Sequence, residues 1–133
     1  MPLKLNLVSR DASGAVYAAA FGNATSKDFP THEHVYFDTI LGKQWAGSRV
    51  VLDMDAVPFV DSSAVGWLIH AQKLFKESGG YLAIHSAQPH VRNILSLLRI
   101  DRVIPIGKDA DDALELLQDR VKQLAARRTQ TVA

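Results

Sequence analysis

The stretch that most constrains how this 133-residue chain can fold is Arg49-Val50-Val51-Leu52-Asp53. An unbroken apolar run closed by an acid suits a strand covered on both faces, which places it inside a parallel sheet. Parallel neighbours need long crossover connections, usually helices, and the sequence that follows supplies them. From Ser62 to about Ser78, Ala64, Leu68, Ala71 and Phe75 recur on one stripe at about 100° per residue, flanked by Val65 and Trp67. Lys73, Lys76 and Glu77 fall on the opposite side. Ser78-Gly79-Gly80 stops the helix, glycine being the residue that best tolerates a left-handed end. Tyr81–His85 then predicts a strand, and Gln88–Leu98 a helix with Val91, Ile94, Leu95 and Leu98 turned inward. Val103-Ile104-Pro105-Ile106 predicts a short last strand whose proline suits an edge. A final helix is expected from about Asp109 to Arg127, with Leu114, Leu117, Val121 and Leu124 as its stripe and Leu116 beside them. Asp109, Asp111 and Asp112 crowd its start while Arg127 and Arg128 close it, which complements the helix dipole.

The amino-terminal part follows a different pattern. Leu3, Leu5 and Leu7 alternate with polar residues as in a half-buried strand. Asp11-Ala12-Ser13-Gly14 is a turn cluster and Ala15–Phe21 a second strand, so the chain opens as a hairpin. After an irregular polar stretch from Gly22 to Pro30, a helix is expected near Thr31, with Phe37, Ile40 and Leu41 on its apolar side and Gly42 and Gly47 around its end. The sum is an α/β fold: an N-terminal β-hairpin joined to a mostly parallel central sheet with about four helices. A chain of this length makes one domain, expected over residues 1–128, with 129–133 as a frayed tail.

Composition removes several functional classes. Fifteen basic against fourteen acidic residues leave a net charge of +1, unlike the basic excess of a nucleic-acid binder. The absence of cysteine excludes disulfides, thiolate metal sites and a cysteine nucleophile. No secretory leader or stretch of the roughly 20 apolar residues a spanning helix needs is present. The expectation is a cytoplasmic protein without membrane insertion.

In open α/β sheets, function concentrates beyond the carboxyl ends of the strands. Asp53-Met54-Asp55-Ala56-Val57-Pro58-Phe59-Val60-Asp61-Ser62-Ser63-Ala64 leaves the most buried strand. Asp61 is placed to cap the following helix, its carboxylate accepting backbone N–H groups. Ser62 and Ser63 then occupy the first turn, beside unpaired N–H groups and the positive end of the dipole, where a phosphate is well tolerated.

Val50-Val51-Leu52-Asp53, Phe59-Val60-Asp61-Ser62-Ser63, Gly79-Gly80-Tyr81-Leu82, Val91-Arg92-Asn93-Ile94-Leu95 and Ile100-Asp101-Arg102-Val103 together resemble the STAS family, and within it the bacterial anti-sigma factor antagonists. The likeness is strong over residues 49–106 and extends to residues 1–48 in element order. It implies the STAS-like fold and a non-enzymatic regulator of transcription, with no cofactor and no metal. It further implies that the serine after the Asp, here Ser62, is phosphorylated by an anti-sigma factor with serine kinase activity, Ser63 being a minor alternative. A serine phosphatase then resets the switch. Asp55, Asp61, Ser62, Ser63, Ala64 and Trp67 form the expected partner-binding set. Ala64-Val65-Gly66 stands where the family usually has Gly-Leu-Gly, which adds a methyl where a kinase approaches. Phe21-Gly22-Asn23-Ala24 stands in place of the family's glycine-plus-acid pattern near the second strand. The alternative role for the fold is a non-phosphorylated accessory subunit of a stressosome-like or lipid-transport ATPase assembly.

Other constellations carry less. His32 and His34 lie two apart, on different sides of a helix, and His70, His85 and His90 have no ligand spacing, so all five are expected as surface residues. Asp53, Asp55 and Asp61 are expected as strand-end and cap carboxylates, the rival being a magnesium-binding acid pocket. No nucleophile elbow, P-loop or dinucleotide fingerprint is present, and no catalytic residue is assigned. Trp67 is expected to pack in the core and Trp45 to lie near a surface turn.

Overall fold

The computed structural model describes residues 3–24, 37 and 40–131, with side chains through residue 127. Five strands, β1 (Lys4–Arg10), β2 (Val16–Phe21), β3 (Arg49–Ala56), β4 (Tyr81–His85) and β5 (Ile106–Gly107), form one sheet in the order β1-β2-β3-β4-β5. The β1–β2 pair is antiparallel and the remaining pairs are parallel. Three helices are described in full: α1 (Ser62–Glu77), α2 (Pro89–Leu97) and α3 (Ala110–Thr131). Phe37, Ile40 and Leu41 are helical as expected, whereas the start predicted near Thr31 lies outside the described residues.

Because β2 to β5 follow one another in space as in sequence, right-handed crossovers carry α1 and α2 over the same face. Val50, Leu52 and Met54 of β3 and Leu82 and Ile84 of β4 point to that face. They pack with Ala64, Leu68, Ala71 and Phe75 of α1 and with Val91 and Leu95 of α2. Alternate residues Val51, Tyr81 and Ala83 point the other way, onto Ala113 and Leu117 of α3. Among the described residues the layers are therefore helices, sheet, and the helix α3. Within the first layer Phe37 is the hub of an aromatic cluster. Its ring stacks at 5.2 Å on both Trp45 and Trp67 and meets Phe75 edge-on at 5.3 Å. Trp45, expected near the surface, is buried because the short 3-10 turn Trp45–Gly47 lays it against Phe37 and Phe75.

The end of α1 explains the Gly-Gly pair. Gly79 adopts φ +86°, and Gly80 N–H donates to Phe75 O at 2.8 Å, closing a Schellman cap. A Cβ on Gly80 would come within 2.3 Å of the carbonyl oxygens of Ala46 and Ser48, so only glycine lets the helix end pass that turn.

Several boundaries moved. Leu7 lies too far along the edge strand to reach the core that covers Leu3 and Leu5, and is exposed. Leu98 follows the last turn of α2 and is also exposed. β3 continues past Asp53 to Ala56, and α3 continues past Arg127 to Thr131. The last strand, expected over Val103–Ile106, is only Ile106–Gly107, at the edge of the sheet as its proline suggested, and a 3-10 turn at Ile100–Arg102 precedes it. Shortening β5 leaves the N–H and C=O of Leu82 facing that edge without a strand partner. Gln72, fully buried on α1, takes the strand's place. Its Nε2 donates to Leu82 O at 2.9 Å and to Val103 O at 3.0 Å, and its Oε1 accepts from Leu82 N at 2.9 Å. Replacing Gln72 by Leu buries three unpaired backbone groups, so Gln72→Leu should lose about 3 kcal/mol of stability. A urea titration reads this as a lowered midpoint; an unchanged midpoint would show that the edge needs no such partner.

Candidate functional site

The carboxyl end of β3 leads directly into α1, and the connection is held on both flanks. Val57 N–H donates to Met54 O at 3.1 Å and turns the chain, with Val57 and Val60 buried beneath it. On one side the segment after β2 braces it: Gly22 N–H donates to Ala56 O at 3.2 Å and Ala24 N–H to Phe59 O at 3.0 Å. Asp61 N–H in turn donates to Ala24 O at 3.1 Å. Phe21-Gly22-Asn23-Ala24, which lacks the expected acid, thus acts through its backbone. On the other side Gln88, at the start of α2, donates through Nε2 to Asp55 O at 2.7 Å. Hydrogen bonds from three segments leave this loop little freedom.

Asp61 caps α1 as predicted. Its backbone is extended, at φ −112° and ψ −178°, and its Oδ1 accepts from Ala64 N–H at 3.0 Å. Ser62 is the first helical residue and is exposed; Ser63 is half-buried and Asp55 exposed. Ala64 and Trp67 belong to the other face of the helix. Ala64 is 1% and Trp67 5% exposed, because positions three and six past the cap point into the sheet. Of the residues expected to meet a partner, these two are buried, whereas Asp55 and Ser62 are exposed and Asp61 and Ser63 half-buried. The Ala64 methyl is likewise turned into the core, away from any enzyme approaching Ser62. The glycine that does lie outside is Gly66, where a Cβ would meet nothing within 4 Å.

Ser62, Gly66 and Ile69, at i, i+4 and i+7, share the outer face of α1 and are all exposed. Ile69 is 40% exposed, and so is Phe59 in the adjoining loop, whose ring stacks with the His90 ring at 6.2 Å. Ile69 and Gln88 were not singled out from sequence, and Phe59 was quoted only as part of a motif. Ile69 was detectable as an apolar residue on the polar side of an amphipathic helix, whereas Gln88 matters only through a fold-dependent contact.

The remaining acids and histidines have local roles. Asp53 Oδ1 accepts from Asp55 N–H at 2.8 Å and Asp61 is engaged in its cap. Among the described residues no group of three or more His, Asp or Glu side chains could hold a metal ion. His85 is buried, not at the surface, because β4 is central and α3 covers its outer side. Its Nδ1 lies 2.8 Å from Ser86 Oγ. His32 and His34 lie outside the described residues. No described helix is long and apolar enough to cross a membrane. Removing the cap should cost α1 about 1 kcal/mol in Asp61→Ala, whereas Asp61→Asn, which keeps an acceptor oxygen, should retain most of it. Thermal melting of the two variants side by side reads the difference.

Comparisons with known proteins converge on one family. The STAS domain matches residues 28–113 of the chain. A Thermotoga neapolitana protein provisionally named an anti-sigma factor antagonist is 30% identical over 84 residues, 63% of this chain and 73% of that one. A Thermotoga maritima protein with a similar provisional name has a crystal structure that superposes with a TM-score of 0.68 at 22% identity, over 84% of this chain and 94% of that one. The anti-sigma factor antagonist SpoIIAA, a Bacillus cell fate determinant, has been solved unphosphorylated and phosphorylated. Its two structures give TM-scores of 0.50 and 0.53 at 18% and 16% identity. They cover 76% and 82% of this chain and 96% and 94% of theirs.

Proposed function

This chain belongs to the STAS domain family, and from that membership we propose that it is an anti-sigma factor antagonist, docking through the exposed start of α1 and switched by a phosphate on Ser62. The observation that carries the proposal is the contrast at the head of α1. Ser62 is exposed at the first helical position, while the connection before it is tied by hydrogen bonds to Gly22, Ala24 and Gln88 and closed by the Asp61 cap. A rigid, exposed hydroxyl can be presented to a kinase at no cost in unfolding. Phe59, Gly66 and Ile69 supply the apolar contact beside it that a protein partner requires.

The partner in this reading is an anti-sigma factor with serine kinase activity, and a serine phosphatase reverses the modification. Unmodified, the head of α1 lies flat against the partner and releases the sigma factor the partner holds. A phosphate on Ser62 adds about −1.5 to −2 charges. The free N–H groups of the first turn and the positive end of the dipole accept it within the domain, so the fold survives modification. At the interface the same charge sits beside the carboxylate of the capping Asp61 and must lose its hydration. A penalty of about 3 kcal/mol, roughly a hundredfold in affinity, makes a usable switch. No catalytic role falls to this chain in such a cycle.

The test is incubation with the candidate kinase and ATP, followed by mapping of the phosphate by mass spectrometry. Ser62→Ala should bind the kinase with unchanged affinity and take up no phosphate. Ser62→Asp should bind at least tenfold more weakly in a calorimetric titration. Phosphate found on a residue other than Ser62, or none, removes the switch.

A further inference from the structure

The first turn of α2 contains a side chain that its own helix does not use. Gln88 is the N-cap of α2, at φ −62° and ψ 152°, and makes no side-chain capping bond. Helices favour Ser, Thr, Asp or Asn here, because a short polar side chain turns back onto the first free N–H groups. The Gln88 amide reaches outward instead, and its Nε2 donates to Asp55 O at 2.7 Å, 33 positions away in sequence. α2 goes without that cap, and the loop leading to Ser62 gains a tether. Among the described residues, Gln88 is the one side chain outside β3 and the loop itself that hydrogen-bonds to residues 55–60. We propose that Gln88 is a positioning residue, holding the loop before α1 in the shape that presents Ser62 to a partner.

The other bonds leave that task to Gln88. Asp55 N–H donates to Asp53 Oδ1 at 2.8 Å and Val57 N–H to Met54 O at 3.1 Å, both within the local turn. Gly22 and Ala24, at the end of β2, hold Ala56, Phe59 and Asp61 through backbone groups, and so brace one flank. The flank toward α2 depends on side chains. Gln88 is half-buried, which shields its bond to Asp55 O from competing water. Two residues on, the His90 ring stacks with Phe59 at 6.2 Å and 22°. One turn of α2 thus holds the loop at its first residue and at its exposed apolar side chain. A serine at position 88 has a hydroxyl suited to capping α2, but it lacks the two further side-chain atoms that carry the glutamine amide to Asp55. The inference rests on the head of α1 being the docking surface. Because the Asp61 cap places Ser62 separately, loss of the tether weakens binding of a partner and leaves phosphoryl transfer to the hydroxyl unchanged.

Two variants test this. Gln88→Ser restores a capping oxygen to α2 and removes the donor to Asp55; Gln88→Glu keeps the length of the side chain and also removes the donor. In both, the Asp55 and Val57 amides should exchange about fivefold faster in native-state hydrogen exchange, as expected for one lost hydrogen bond. The melting temperature of Gln88→Ser should stay within about 2 °C of the parent's, since the new cap offsets the lost bond. In phosphorylation of Ser62 by the partner kinase, KM for Gln88→Ser should rise about threefold at unchanged kcat, the mark of lost binding. Loop amides as well protected as the parent's in both variants overturn the proposal. So does a Gln88→Ser melting temperature that falls in step with the lost protection, which assigns Gln88 to overall stability, and so does an unchanged KM. Hydrogen exchange needs no partner, so it decides on the tether by itself. A parent protein that takes up no phosphate on Ser62 removes the phosphorylation reading and not the tether.

Discussion

Right-handed crossovers in a sheet whose parallel strands advance in one direction must all return over the same face. The strand order β2-β3-β4-β5 imposes that condition here, and most of the molecule follows from it. One face of the sheet receives α1, α2 and the helical residues Phe37, Ile40 and Leu41. Among the described residues the other is covered by α3, which packs on β4, β5 and part of β3. The thick core on the first face is where the aromatic side chains collect around Phe37. The same constraint delivers the head of α1 to the carboxyl end of β3, so that Asp61 caps a helix at the sheet edge where α/β domains present their chemistry.

The parallel arrangement also creates a difficulty that one side chain resolves. β5 is two residues long and cannot satisfy the full edge of β4. Gln72 reaches from α1 and supplies a donor and an acceptor to Leu82 and a second donor bond to Val103. A glutamine amide presents the N–H and C=O that a strand would, and it ties α1 to the sheet at the level of the 3-10 turn. The helix is thus anchored near both ends, by the Asp61 cap at one and by Gln72 and the Gly79–Gly80 passage at the other. Its outer face is free to serve as a surface of fixed shape.

That surface has two poles. The amino end combines Asp61, Ser62 and exposed apolar groups at Phe59 and Ile69. The carboxyl end contributes Lys76 to a cavity lined by three arginines. A charge of +1 for the whole chain gives no hint of this local difference. A phosphate added at the first pole changes the local field greatly, because no large net charge of the molecule competes with it.

The order of strands and helices, the Asp61 cap, the place of Ser62 in the first turn and the glycine stop of α1 were all legible in the linear sequence. Each depends on residues a few positions apart: apolar periodicity, a capping oxygen three residues from its N–H, a left-handed turn after a helix. Which way a side chain faces its neighbours in space was less legible. Trp45 and His85 were expected outside and lie inside, because a 3-10 turn and α3 cover them. Leu7 and Leu98 were expected inside and lie outside, because their elements outrun the helices and strands that would bury them. Ala64 and Trp67 were expected to help meet a partner, and the rotation of α1 against the sheet buries both. Gln72 and the basic cavity had no linear signal, since their partners stand 10 to 31 residues away in the one case and on three separate elements in the other. Local chemistry determined the elements and their caps. Long-range packing decided which side chains became buried hydrogen-bond partners and which remained at the surface, because burial depends on what another part of the chain places opposite.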